Sequence, residues 1–325
     1  MRAPTFVFIS LLLACSLLRA EQPAPVPIIL DTDIMSDVDD AGAIAILHAM
    51  ANRHEANILA IGVCVKNPWS PLCVDAMNTW FGRPEIPVGV VKGAGKDGKS
   101  RYAQQIAEEF PHALKSALDA PDATVLYRQI LAKQPDKSVV MVSIGLLTNL
   151  QNLLKSGPDQ YSPLGGVDLV KQKVKAYVCM GGKFPEGKEY NLIADGPAAA
   201  YTIANWPTPI VFSDWELGNK IMSGAALKST PAGSPVRRAY ELYNGLKNRQ
   251  SWDLTAVLYA VRGLNGGLAD YWDLHTAGHI VVNQDGSNSW DDSAPTGQHS
   301  YLVEKMPPAK IADVLNGLML HPTAE

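Results

Sequence analysis

Five aspartates fall within ten residues of this chain: Asp31, Asp33, Asp37, Asp39 and Asp40, in the stretch Ile28-Ile29-Leu30-Asp31-Thr32-Asp33-Ile34-Met35-Ser36-Asp37-Val38-Asp39-Asp40-Ala41. Two carboxylates about 4 Å apart repel by ~4 kcal/mol at an effective dielectric of roughly 20. A group of them therefore needs a cation or a shared proton. With oxygen ligands alone the matching cation is hard, Ca2+ or Mg2+ rather than zinc. Aspartate also caps helices and complements the helix dipole, but one or two residues suffice for that. Five exceed it, although Asp37 taken alone fits either role.

Two narrower motifs compete for the same residues. An EF-hand loop starting at Asp31 needs glycine at its sixth position and glutamate at its twelfth, where Ser36 and Gly42 stand. Asp31-Thr32-Asp33 after a strand also resembles the DxDx(T/V) loop of haloacid-dehalogenase-like phosphatases, which would make Asp31 a nucleophile. Met35 occupies the Thr/Val position of that loop, and no later acidic motif with a partner lysine is evident.

The elements that must position these carboxylates follow from the apolar pattern. Short runs rich in β-branched residues alternate with helical patterns, the signature of βαβ units and a mainly parallel sheet. Strands are expected at Val26 to Leu30, Ile58 to Val65, Ile86 to Val91, Val139 to Ile144, Val174 to Met180 and Pro209 to Phe212. Helices are expected at Ala41 to Ala51, from Ser70-Pro71 onward and at Asp195 to Asn205, with two more between Val91 and Ser138. The aspartates then lie at the carboxyl end of the first strand, where parallel α/β sheets bind ligands. The loop Gly93 to Ser100 is long enough to cover such a site.

Five segments in register resemble the inosine-uridine nucleoside hydrolase family over nearly the whole chain beyond residue 20. The aspartate stretch resembles the signature DxDxGxDxDDAxA, and Asn67 resembles the active-site asparagine. Ser143-Ile144-Gly145-Leu146-Leu147-Thr148-Asn149 resembles TGPLTN; Met180-Gly181-Gly182 with Glu189-Tyr190-Asn191 resembles the MGG and EFN segments; Trp252-Asp253 with Ala256-Val257 resembles HDPxAV. The resemblance implies one α/β domain over residues 21–325, with a mainly parallel, Rossmann-like central sheet flanked by helices. It implies calcium-dependent hydrolysis of the N-glycosidic bond of ribonucleosides to ribose and free base. Asp33, Asp40, Asp253 and the backbone carbonyl of Ile144 would hold Ca2+, and Asp33 would act as general base on a metal-bound water. Asp39 and Asn191 would bind the ribose 2′ and 3′ hydroxyls, Glu189 the 5′ hydroxyl, and Asn67 would help position water or sugar. A homodimer or homotetramer is implied in the same way.

This chain departs from that pattern at several places. Trp252 stands where the best-known members have histidine, and an indole cannot serve as an acid; stacking on the base remains open to it, as to Trp69 and Trp215. Met35 replaces the signature glycine, the segment from Gly182 to Glu189 is short, and the loop Gly93 to Ser100 contains no histidine. A ribose- or nucleoside-binding protein without efficient chemistry is therefore the alternative to a hydrolase, ahead of a phosphatase using Asp31. His112, His275 and His279 belong to no motif and read as structural or exposed.

Composition bounds the partners. Net charge is −4 and no run of Lys or Arg is present, which argues against nucleic acid and for a small-molecule ligand. Residues 1–20 read as a secretory signal, with Met1-Arg2, an apolar run from Phe6 to Leu18 and a small residue before Glu21, so the protein is expected to be exported, periplasmic or extracellular. The run is too short for a comfortable span; Cys15 offers lipid anchoring as a second reading. Beyond residue 20 stand Cys64, Cys73 and Cys179, an odd set that cannot complete a disulfide framework, although a Cys64 to Cys73 bridge stays open.

Overall fold

The structure is a computed structural model and describes residues 24–321 apart from Ser36, Ala94, 265–269 and 294–296. The expected signal and Cys15 lie outside the described residues. Among the described residues thirteen strands follow in chain order: β1 (Val26–Thr32), β2 (Ala56–Val63), β3 (Val88–Val90), β4 (Val139–Ile144), β5 (Val174–Met180), β6 (Glu186–Lys188), β7 (Ile210–Ser213), β8 (Met222–Ser223), β9 (Arg249–Gln250), β10 (Trp272–His275), β11 (His279–Val282), β12 (Ser287–Asp291) and β13 (His299–Glu304).

Eight of them form the central sheet in the order β10-β13-β7-β5-β4-β1-β2-β3. All its pairings are parallel except β10 with β13 at the edge. Strands buried on both faces read as continuous apolar runs, and β1 and β4 do so. Alternation still sorts their side chains. Ile28 and Leu30 enter the core under the helices Asp39–Asn52 and Trp252–Leu258, while Ile29 enters the opposite core with Leu126, Leu150 and Ile203. Val140 and Val142 share the first core and Val139 and Met141 the second.

The parallel sheet, its strand positions and the helix capped by Asp195, whose side chain accepts from the Ala198 N–H at 3.3 Å, match the sequence expectation. The C-terminal part does not follow that simple alternation. β6, β11 and β12 make a separate antiparallel sheet, and β10 and β13 extend the main one. Their segments mix charged and apolar residues at half-buried edges, which hides them from a reading tuned to buried strands. Cys64, Cys73 and Cys179 are free and buried, so the Cys64 to Cys73 bridge does not form. Among the described residues no helix is long and apolar enough to cross a membrane.

Candidate active site

β1 ends on Thr32, and strand alternation sends its last two polar side chains to opposite faces. Asp31 points with Ile29 into the second core. There its Oδ2 accepts from the Tyr127 hydroxyl and from Asn149 Nδ2 at 2.9 Å. Thr32 points the other way and donates to Asp40 at the start of the helix Asp39–Asn52, while its Oγ1 accepts from the Ile34 N–H at 3.1 Å. The turn that carries Asp33 is thus tied to the helix that carries Asp39 and Asp40. Ser70 Oγ pins it further by donating to the Ile34 carbonyl at 2.5 Å.

A second helix completes the site. The backbone N–H of Asp253, in the first turn of Trp252–Leu258, donates to Asp39 Oδ2 at 3.2 Å. Asp39, Asp40 and Asp253 are all buried and offer oxygens that lie within 4.8 Å of one another. They border a cavity of about 270 Å³ together with Asp33, Asp37, Ile144, Met180, Glu189, Tyr190, Asn191, Trp215, Arg249 and Trp252.

Burial dominates the electrostatics. It pushes the Asp33 carboxyl up to about 7, helped by the neighbouring Glu189 charge. Glu189 rises to about 7 for the same reason, against the backbone N–H groups it accepts from. Asp39, Asp40 and Asp253 are all raised, first by burial and then by each other or by Asp33 and Asp37. Without a cation these groups favour protons; a divalent ion would replace several protons at once.

The other side chains are held by the backbone around them. Glu189 caps the short helix Tyr190–Ile193, accepting from the N–H groups of Asn191 at 2.8 Å and Leu192 at 3.2 Å. Asn191 Nδ2 donates to the Met180 carbonyl at 3.2 Å. The Trp252 indole N–H donates to the Trp215 carbonyl at 3.0 Å, and the two indoles lie at 29° with centroids 6.4 Å apart.

The chain matches the profile of the inosine-uridine preferring nucleoside hydrolase family over residues 28–314. It belongs to that family. A plant nucleoside hydrolase has the same fold, at TM-score 0.69 and 19% identity, covering 92% of this chain and 100% of its own. An inosine-uridine preferring nucleoside hydrolase from Bacillus anthracis aligns at TM-score 0.67 and 16% identity, over 92% of this chain and 100% of its own. The type III effector protein XopQ, complexed with adenosine diphosphate ribose, aligns at TM-score 0.68 and 15% identity, over 93% of this chain and 95% of its own. A search of curated proteins returned no match.

This nucleoside hydrolase is therefore an enzyme of N-glycosyl bond hydrolysis from a metal-dependent family. Of the residues singled out in its sequence, Asp33, Asp39, Asp40, Ile144, Glu189, Asn191, Trp252 and Asp253 border one cavity. Asn67 does not border it. Its Oδ1 accepts from the N–H groups of Trp69 and Ser70, at 2.9 and 3.2 Å, and its Nδ2 donates to the Gly98 carbonyl at 3.0 Å. The amide oxygen starts a helix, and one N–H of the amide pins the loop at Gly98. Asp31 is fully buried away from the cavity, where a nucleophile could not meet a substrate. Arg249 went unnoticed in the sequence. Its ion-pair partner, Asp37, lies 212 positions away, so only the fold brings the two together.

Proposed function

We propose that this nucleoside hydrolase cleaves ribonucleosides to ribose and free base, with Ca2+ as its cation and Asp33 as general base. The observation that carries this reading is the convergence of Asp39, Asp40 and Asp253 oxygens within 4.8 Å at one edge of a cavity that Asp33 also borders. Such a group is a poor resting state unless protons or a cation occupy it. All its donors are oxygen, and Ile144 borders the same cavity, where its backbone carbonyl would complete a set that suits Ca2+. In this reading Asp40 and Asp253 of that group hold the ion together with Asp33 and the Ile144 carbonyl, and Asp39, the third of the group, is left to the sugar. When bound, it supplies positive charge that acidifies a coordinated water and steadies ribose hydroxyls.

The remaining steps belong to the chain's own side chains. Asp33 accepts the proton of the attacking water, which its place at the cavity wall beside Asp40 and Asp253 allows. Asp39 and Asn191 orient the 2′ and 3′ hydroxyls, Glu189 the 5′ hydroxyl, and Trp252 borders the base. As the C1′–N bond stretches, the buried carboxylates stabilise oxocarbenium character at the sugar. Asn67 acts here by positioning the loop over the turn of Asp33. Reducing-sugar release from purine and pyrimidine ribonucleosides, with Ca2+ and after chelation, is the test. Chelator-sensitive turnover is expected; turnover indifferent to chelation would remove the cation from the scheme.

One observation favours a second reading, a nucleoside-binding protein with little turnover: among the described residues no histidine borders the cavity, and the Trp252 N–H is already spent. The fold neighbour XopQ was solved with adenosine diphosphate ribose, a ribose-containing ligand. Thermal stabilisation by ribonucleosides without product over long incubation would select this reading. Export is proposed on residues 1–20 alone, and a mature N-terminus at Glu21 in the secreted protein is its test.

A further inference from the structure

Among the described residues bordering the cavity, Arg249 is the one cation. Its Nε donates to Asp37 Oδ1 at 3.0 Å, one terminal nitrogen donates to Asp37 Oδ2, and Nη1 donates to Gln250 Oε1 at 2.9 Å. The guanidinium carbon stands 5.0 Å from the centroid of the Trp252 ring and 5.7 Å from that of Tyr243. Side chains of Arg249 and Asp37 are 28% and 29% exposed, so the pair reaches the cavity without being immersed in solvent. A guanidinium has five N–H donors in a fixed fork. Three are engaged by Asp37 and Gln250, which leaves two unspent on a group whose orientation is already fixed.

A departing nucleobase needs either a proton or a cation, because the electron pair of the broken bond goes to it. Arginine does not give up a proton near neutral pH, so it cannot act as the acid. It can hold an anion. We propose that Arg249 is a leaving-group residue, a fixed cation beside Trp252 that takes up the charge developing on the base. The inference rests on the hydrolase reading and deepens it. The C1′–N bond breaks with its electron pair going to the base, water oxygen bonds to C1′, and Asp33 takes the water proton. The base leaves as an anion hydrogen-bonded to the guanidinium and is protonated by solvent on release, while Asp33 returns its proton to solvent. Asp37 positions the fork, and the indole of Trp252 limits its swing.

The test compares uridine and inosine with p-nitrophenyl β-D-ribofuranoside, in Ca2+, for wild type, R249Q and R249K. Nitrophenolate departs as a stable anion unaided, whereas a nucleobase does not. R249Q is expected to lower kcat on the nucleosides by about 100-fold, the scale of losing one preorganised charge-stabilising donor, yet only a few-fold on the nitrophenyl riboside. R249K, which keeps the charge and a contact with Asp37 but loses the fork, is expected to fall between. Added guanidinium is expected to restore part of the R249Q activity on nucleosides. Thermal unfolding of each variant separates this pattern from loss of fold. Equal loss on both substrate classes, or unchanged nucleoside turnover, would overturn the assignment. Failure of the wild type on every substrate, nitrophenyl riboside included, would overturn the hydrolase reading itself, and the inference with it.

Discussion

Gly145 packs against the backbone of Asp33: a Cβ at position 145 would stand 2.6 Å from the Asp33 nitrogen and 2.8 Å from its Cβ. Real Cβ contacts are longer than that, so an added methyl must push Asp33 or Cys64 aside, or shift Gly145 itself and with it the neighbouring Ile144. Asp33 and Ile144 both border the cavity, the one proposed as base and the other as the residue whose carbonyl would hold the ion. Gly145→Ala is expected to cost roughly 1–3 kcal/mol of stability, as overpacking does. The greater effect is on the site, where an ångström of misplacement lowers turnover by about 100-fold. A Ca2+ titration of kcat/KM checks this; unchanged affinity and turnover would show that the turn yields without disturbing Asp33.

Asp33→Asn keeps the shape of the side chain and removes its capacity to accept a proton. Turnover is expected to fall by about 100- to 10,000-fold, the range for a positioned general base. Ca2+ affinity is expected to weaken too, since an amide oxygen carries no charge. Single-turnover kinetics at saturating Ca2+ isolate the first effect. If saturating Ca2+ restored full activity, Asp33 would be a ligand only and the base would be another group.

Gly62 shows how the rear of the site is kept. A Cβ there would meet the Tyr127 hydroxyl at 1.6 Å, so Gly62→Ala must displace the phenol that donates to Asp31. Tyr127→Phe removes the same hydrogen bond without the collision. Each is expected to destabilise the fold by about 1–3 kcal/mol, the cost of a buried partner lost. Because both act on one bond, the double variant is expected to lose less than the sum. Urea unfolding measures all three, and strict additivity would mean that Asp31 does not couple them.

Much of this site was legible because its residues sit in short local patterns. A buried strand followed by Asp31 to Asp40 announces a ligand site at a strand end, and Asp253 sits in the first turn of a later helix. Local sequence could not tell which aspartates converge. Strand alternation turns Asp31 into the core behind the sheet, while Asp33, past the strand end, reaches the cavity. Met35, in place of the signature glycine, also has a partner that only the fold reveals. It is buried, and a Cβ on Gly98 would lie 1.9 Å from its sulfur, so the large residue is matched by a small one in the facing loop. The ion pair of Arg249 with Asp37 and the edge strands β10 and β13 depend on long-range pairing for the same reason.

The pH dependence of stability follows from the buried carboxyls. Asp31 and Asp33 rise from 3.8 to about 7, and Glu189 rises from 4.5 to about 7, each mainly through burial. A raised carboxyl pKa means that the folded state holds the proton more tightly than the unfolded chain. The resulting stability is fully present below the unfolded values, is lost as pH climbs through about 4 to 7, and stays lost above. The chelated protein is therefore expected to melt several degrees higher at pH 5 than at pH 8. The proposed Ca2+ would bind the ionised carboxylates, so its stabilising effect is expected to grow with pH over the same window. Thermal unfolding at both pH values, with chelator and with Ca2+, measures the two slopes together. A chelated protein more stable at pH 8 than at pH 5 would mean that these carboxyls are already ionised and paired in the fold, and that the site does not depend on a cation to hold its charge.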